Sequence, residues 1–241
     1  MSDATPPWIL LPGWAFSPAV FSSWITTLGP TAEAHALAIS EAAPSADDAL
    51  TATMESVLRN APERARWVGW SLGGMIALAA AAMAPERVID LTLIASTPRF
   101  ARTADWPHAV DPGSLQRFRD GLSADLPRTL HRFAALCAQG CEDVMAVSRV
   151  LGADLRNSQQ RAPAVLETGL AMLTELDLRA LLPRVRTRLR WILGGGDPLV
   201  PVTVQADLRA LRPDMEFLQL DGAGHAPFLS HGRACAEFVL A

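Results

Sequence analysis

Three residues far apart in this sequence have the types and surroundings needed to attack an acyl group: Ser71, Asp197 and His225. A serine hydroxyl is a poor nucleophile at neutral pH, so it needs a base to take its proton and an acid to hold that base in the right tautomer. Ser71 stands at the apex of Gly69-Trp70-Ser71-Leu72-Gly73-Gly74. This is the G-x-S-x-G pattern, in which a strand turns sharply into a helix and small flanking residues let the backbone close up. Asp197 follows Gly194-Gly195-Gly196 and precedes Pro198, while His225 lies within Asp221-Gly222-Ala223-Gly224-His225-Ala226-Pro227-Phe228. Alone, each is ordinary, a turn aspartate and a loop histidine. Together, in the order Ser, Asp, His and each following an apolar run, they predict a catalytic triad. Asp221 is the rival acid, but four residues from His225 it is expected at a strand end rather than behind the imidazole. His35, His108, His131 and His231 lack the strand-then-loop setting.

Acyl transfer also requires donors for the oxyanion. They are expected to be the amide after the nucleophile, that of Leu72, and one from the first glycine loop, that of Trp14 in Pro12-Gly13-Trp14-Ala15. Both are backbone roles, which leaves the side chains of Trp14 and Trp70 free to wall a pocket. Phe133 and Leu199 complete the candidate apolar substrate contacts. Trp24 and Trp191 read as core packing.

The elements that must position these groups follow from periodicity. Trp8-Ile9-Leu10-Leu11 is a continuous apolar run of strand length ending at Pro12-Gly13, as in a buried parallel strand. Residues 18–28 carry Val20, Phe21, Trp24, Ile25 and Leu28 at helical spacing, residues 34–39 form a weaker strand, and Ser45 caps a helix to about Arg59. Arg66-Trp67-Val68-Gly69 is the strand before the serine turn, and Met75 to Ala84 is an apolar helix stopped by Pro85. Further strands are expected at 88–95, 189–193 and 216–220, with helices at 203–211 and 232–240. This alternation predicts an α/β fold, a mostly parallel sheet flanked by helices, with ligands gathered at the carboxyl ends of its strands. From 98 to 176 the rhythm changes to four helices, at about 114–122, 127–139, 142–151 and 163–176. That stretch is expected to be a helical lid inserted into a core made of 1–97 and 177–241.

Composition narrows the chemistry. The 241 residues, half of them hydrophobic, suit a single large domain. All 21 basic residues are arginine, so lysine Schiff bases, lysine P-loops and Ser-Lys dyads are excluded. Net charge −4 without a basic tract argues against nucleic acid. There is no N-terminal basic-then-apolar run and no apolar stretch of membrane-spanning length. The expectation is a cytoplasmic monomer with reduced cysteines (Cys137, Cys141, Cys235), working without metal or cofactor. Cys137 and Cys141, one helical turn apart, read as helix packing rather than a redox pair.

Nearly the whole chain resembles the α/β hydrolases of the biotin pathway that act as pimeloyl-acyl-carrier-protein methyl ester esterases. The matching stretches are Leu10-Leu11-Pro12-Gly13-Trp14, Gly69 to Gly74, Ala95-Ser96-Thr97-Pro98-Arg99-Phe100 with Trp106-Pro107, Arg128-Thr129-Leu130-His131-Arg132-Phe133, Leu176-Asp177-Leu178-Arg179, and His225-Ala226-Pro227-Phe228-Leu229-Ser230-His231. The resemblance implies a methyl ester substrate borne by an acidic carrier protein, with lid arginines receiving the carrier. Arg128, Arg132 and Arg149 match such arginines, whereas Met145 stands where another is expected. Ala38 to Pro44 lacks the glycine-rich turn of these enzymes, and Gly232 replaces a common proline. Over 98–176 nine arginines face nine acids, so the insert carries no net basic charge, and a solvated helix face is the plain alternative. The same triad also serves perhydrolysis, carbon-carbon bond hydrolysis and thioester cleavage. From a different class, a ligand-binding homologue without turnover stays open.

Overall fold

In the computed structural model, which describes residues 6–35, 43–158 and 162–241, the apolar runs of the sequence become strands. They are β1 (Trp8–Leu11), β2 (Ala32–Ala34), β3 (Ala65–Trp70), β4 (Val88–Ile94), β5 (Arg188–Gly194) and β6 (Glu216–Leu220). They pair in the order β2-β1-β3-β4-β5-β6, every pair parallel. β1 and most of β3 and β4 are buried, as expected of strands covered on both faces. The chain runs outward from β1 to β2, returns to β3 on the other side of β1, and then proceeds in one direction. The reversal lies between β1 and β3, and a crevice at the carboxyl ends of two such strands is where open α/β sheets bind ligands. The loop carrying Trp14 leaves β1 there, and Ser71 leaves β3.

The helices are α1 (Ser22–Ile25), α2 (Ala46–Asn60), α3 (Leu72–Met83), α4 (Pro112–Ala124), α5 (Leu126–Ala138), α6 (Val144–Ser158), α7 (Pro163–Glu175), α8 (Val204–Leu211), α9 (Pro227–Ser230) and α10 (Gly232–Leu240). α3 is buried from Leu72 to Ala82, and its all-apolar circumference is that of a central helix. It packs so closely under β1 that a Cβ on Gly73 would lie 2.2 Å from the Leu11 carbonyl oxygen. Four helices, α4 to α7, stand between β4 and β5. The two ends of this insert meet: the Leu178 amide donates to the Pro98 carbonyl at 2.9 Å, and Arg99 pairs with Asp177 at 2.6 Å.

Two expectations are corrected. The helix predicted over 18–28 is broken into a 3-10 turn, Pro18–Phe21, and the single turn of α1. Ser17 caps the first piece, while the Thr27 hydroxyl and amide both take the Trp24 carbonyl and end the second. Such local hydroxyl bonds compete with helix propagation. β2 begins at Ala32 rather than residue 34, where Ala32 faces Trp8 in parallel register; the remainder of the predicted strand, 36–39, lies outside the described residues. Among the described residues, no helix is long and apolar enough to cross a membrane.

Candidate active site

Ser71 sits in the turn between β3 and α3 with φ 55° and ψ −119°, a conformation that a non-glycine residue adopts only when its surroundings impose it. Those surroundings are visible. The Ser71 amide donates to the Ile94 carbonyl at 3.0 Å, and the Ser96 hydroxyl donates to the Ser71 carbonyl at 2.8 Å, so the end of β4 braces the turn. Asp197 follows β5 and His225 follows β6, both at the carboxyl edge of the sheet. The His225 Nε2 lies 3.0 Å from Ser71 Oγ, and its Nδ1 lies 2.8 Å from Asp197 Oδ2. The second Asp197 oxygen accepts the Leu199 amide at 2.8 Å and the Val200 amide at 3.1 Å.

This geometry sets the tautomer. An ionised carboxylate can only accept, so Nδ1 carries the proton and Nε2 presents its lone pair to the Ser71 hydroxyl. All three groups are withdrawn from solvent, with His225 0%, Ser71 4% and Asp197 5% exposed, which strengthens each charge interaction among them. The imidazole is also held by its backbone. Trp70 Nε1 donates to the His225 carbonyl at 2.7 Å, and the His225 amide donates to the Cys137 carbonyl at 3.0 Å.

The expected oxyanion donors, Trp14 and Leu72, each directly follow a residue at the serine turn, Gly13 and Ser71. Gly13 brings the loop after β1 against the serine, since a Cβ there would be 3.2 Å from Ser71 Cβ. Trp14 and Leu72 are buried, and among the described residues neither amide donates to a protein acceptor. Buried amides without acceptors are rare in folded proteins, and two of them beside a serine suit an oxygen that develops charge during reaction. Trp14, Trp70 and Phe133 lie in one aromatic cluster with Phe16 and Phe118, two residues that the sequence reading does not single out. Phe16 lies tilted at 4.7 Å from Trp70 and 5.7 Å from Phe133, and Phe118 stands 5.6 Å from Phe133 and 6.5 Å from Trp14. Trp14 meets Phe133 edge-on at 4.9 Å, and its indole N–H donates to the Leu166 carbonyl at 2.8 Å. Phe16 shares the Trp14 loop, and that proximity was the available signal. Leu199 is buried immediately behind the acid, which it contacts through its amide.

The rivals are placed elsewhere. Asp221 is exposed and accepts from the Gln219 side chain. His108 pairs with Asp207 at 2.6 Å, His231 contacts Ser230 at 2.9 Å, and His131 is exposed on α5. His35, beside Glu33, has its basicity lowered by burial. The turn after α5 grips the catalytic loops: the Gly224 amide donates to Cys141 Sγ at 3.1 Å, and the Glu142 amide to the Gly222 carbonyl at 2.8 Å. Burial pushes both the Cys137 and Cys141 thiols up, with the Asp197 charge adding to this, so these cysteines stay protonated beside the histidine. All three cysteines are free. Among the described residues, no group of three or more His, Cys, Asp or Glu side chains is placed to hold a metal ion.

Arg128, Arg132 and Arg149 are exposed on α5 and α6, and among the described residues none makes an ion pair. Arg132 lines a cavity of about 410 Å³ between α4 and α5, together with Arg117, Phe118, Thr129 and Leu136.

A serine-histidine-aspartate chain at the carboxyl edge of a parallel sheet defines a class, and comparison with known proteins agrees with it. The model of the α/β hydrolase fold family matches residues 57–232, and the chain belongs to that family. Among solved structures, an esterase from Exiguobacterium antarcticum superposes with a TM-score of 0.82 at 16% identity, covering 98% of this chain and 91% of the other. A bromoperoxidase from Bacillus anthracis gives 0.84 at 15% identity, with coverages of 98% and 91%. At such identities the likeness is one of fold. Sequence relatives narrow the group. The chain is 38% identical over 235 residues to a pimeloyl-[acyl-carrier protein] methyl ester esterase of Xanthomonas oryzae pv. oryzae, covering 96% of this chain and 92% of that protein. It is 36% identical over 241 residues to the enzyme of the same name from Aromatoleum aromaticum, with coverages of 97% and 96%.

Proposed function

We propose that this chain is a serine carboxylesterase whose substrate is the methyl ester of a pimeloyl group borne on an acyl carrier protein, the substrate that its relatives' name describes. The observation that carries the reaction is the buried hydrogen-bonded chain from Ser71 through His225 to Asp197. Ser71 Oγ attacks the ester carbonyl carbon as His225 Nε2 takes the hydroxyl proton, and Asp197 stabilises the imidazolium. The carbonyl oxygen becomes an oxyanion, received by the Trp14 and Leu72 amides. The tetrahedral species collapses, His225 returns the proton to the departing methoxide, and methanol leaves an acyl-Ser71. Water, deprotonated by the same imidazole, then releases the free carboxylic acid.

The insert over 98–176 acts as a lid in this reading, with Trp14, Trp70 and Phe133 walling the acyl site and Leu199 backing the acid loop. Because His225 is fully buried, the lid must open to admit substrate. Arg128, Arg132 and Arg149 receive the carrier. The proposal includes a cytoplasmic monomer that needs no metal or cofactor.

The test compares hydrolysis of short p-nitrophenyl esters with that of a methyl-pimeloyl carrier-protein conjugate, using wild type and Ser71→Ala. The expected result is a higher kcat/KM on the conjugate, and with Ser71→Ala a loss of about a thousandfold or more on both substrates. A wild type that cleaves small esters but ignores the conjugate overturns the substrate assignment. Turnover surviving in Ser71→Ala overturns the mechanism.

A further inference from the structure

The mechanism leaves two buried carboxylates unused: Asp90, which lies beside Arg66 and Arg190, and Asp154. Asp154 on α6 is 7% exposed, and among the described residues it has no cationic partner. The apolar stripe of α6 runs through Val147, Leu151 and Leu155, and Asp154, three residues after Leu151, lies within that stripe, where an aliphatic side chain would pack at no desolvation cost. Both of its oxygens go to one residue. The Ser17 amide donates to Asp154 Oδ2 at 2.7 Å, and the Ser17 hydroxyl donates to Asp154 Oδ1.

Ser17 closes the loop that leaves β1 through Gly13 and Trp14. Within that loop Ala15 has φ 66°, a left-handed conformation that a residue with a Cβ holds only under constraint. The constraint comes from the insert at two points: Leu166 on α7 accepts the Trp14 indole N–H, and Asp154 on α6 takes both donors of Ser17. With two donors of one residue held by one carboxyl group, against a single bond at Trp14, the Asp154 clasp is the firmer tie.

We propose that Asp154 is a positioning residue for the oxyanion hole, fixing the loop so that the Trp14 amide faces the reacting carbonyl. This rests on the esterase reading above, in which that amide is an oxyanion donor. It makes the hole a property of the closed lid: when α6 lifts, the loop loses its anchor and the donor leaves its place.

The experiment uses the full-length protein and Asp154→Ala, Asp154→Asn and Ser17→Ala variants, assayed on a soluble p-nitrophenyl ester. Rates are normalised to active sites counted by fluorophosphonate labelling. A second readout is the affinity for an aryl boronic acid, whose tetrahedral adduct on Ser71 places an oxygen in the hole. Asp154→Ala is expected to lower kcat per site about tenfold or more with KM within about twofold, because a displaced donor is missed chiefly in the transition state. Boronate affinity should fall by a similar factor. Asp154→Asn should recover most of the loss, since its amide oxygen accepts the Ser17 N–H and its NH2 group donates to the hydroxyl. Ser17→Ala, which keeps the amide tie, should show a smaller loss in the same direction, and it carries the test if Asp154→Ala does not fold. Unchanged kcat per site and unchanged boronate affinity in a folded variant overturn the proposal, as does a loss that lies wholly in the number of labelled sites. A wild type that hydrolyses no ester overturns the esterase reading itself.

Discussion

At the scale of single residues, the site is defined by which carboxylate faces His225. Asp197 and Asp221 both follow strands, yet only Asp197 is buried against the imidazole, with two backbone amides fixing its other oxygen. Asp197→Asn can still occupy that space, but it favours the wrong imidazole tautomer, and kcat should fall by about 10⁴. Asp221→Asn, on an exposed side chain, should leave turnover within about twofold, since surface changes of this kind are usually near neutral. Turnover abolished by the second substitution and spared by the first would reassign the acid. The same arrangement fixes the sign of the pH dependence. Only neutral imidazole can take the serine proton, so kcat/KM of the wild type rises with pH along one limb. His225→Ala should flatten that limb as well as lower it.

Elements and their joints were legible to different degrees. β1, β3, α3 and the helices of the insert could be read because apolar periodicity is local, and Ser71, Asp197 and His225 because each follows a strand and is flanked by glycine or proline. The ties between distant segments carry no such mark. The Cys137 carbonyl that receives the His225 amide, the Leu166 carbonyl that receives Trp14, and the Asp154 carboxylate that holds Ser17 are separated from their partners by 88 residues or more in sequence. A carbonyl has no residue signature at all. The expected 18–28 helix fails for the opposite reason, because its apolar spacing is helical while the hydroxyls that interrupt it are polar and local.

The joint that closes the insert allows a prediction at this scale. Hydrogen bonds from Arg179 first, and then from Arg99, hold the Asp177 carboxyl down at about 2, below its ordinary 3.8. A carboxylate depressed in the folded state contributes stability that is present above its unfolded pKa and lost as pH falls through the folded value. Asp177→Asn should therefore cost about 1 kcal/mol at neutral pH, discounted because the group is partly exposed. The gap between wild type and variant should shrink as pH falls from about 4 to about 2. Urea midpoints measured across that range check it, and a gap that stayed constant with pH would show that the charge of Asp177 is not what closes the neck.

For the whole molecule, the proposed function requires a protein of net charge −4 to receive an acidic carrier. Long-range attraction is not available, and the insert, with nine arginines against nine acids, offers none on average. Recognition must come from local arrangement. Arg128 and Arg132 stand one turn apart on the exposed side of α5, Arg149 is exposed on the neighbouring α6, and among the described residues no carboxylate neutralises them. Arginine presents a planar fork that grips carboxylate or phosphate in two-pronged fashion, and under the proposed function Arg128, Arg132 and Arg149 would offer such forks to the anionic groups of the carrier. Arg128→Glu with Arg132→Glu should then raise KM for the carrier-linked ester by about tenfold or more, while a p-nitrophenyl ester, which never meets that face, is cleaved within about twofold of the wild-type rate. The wild-type preference for the conjugate should fade as salt rises from about 0.05 to about 0.5 M, because exposed pairs are screened over that range. Met145, 73% exposed on α6 where the family resemblance expects an arginine, supplies the converse: Met145→Arg should lower the same KM. Equal losses on both substrates would mean that the reversals had disturbed the insert and not a docking face. No loss on either would reduce these arginines to a solvated helix surface, and the carrier would have to be received elsewhere.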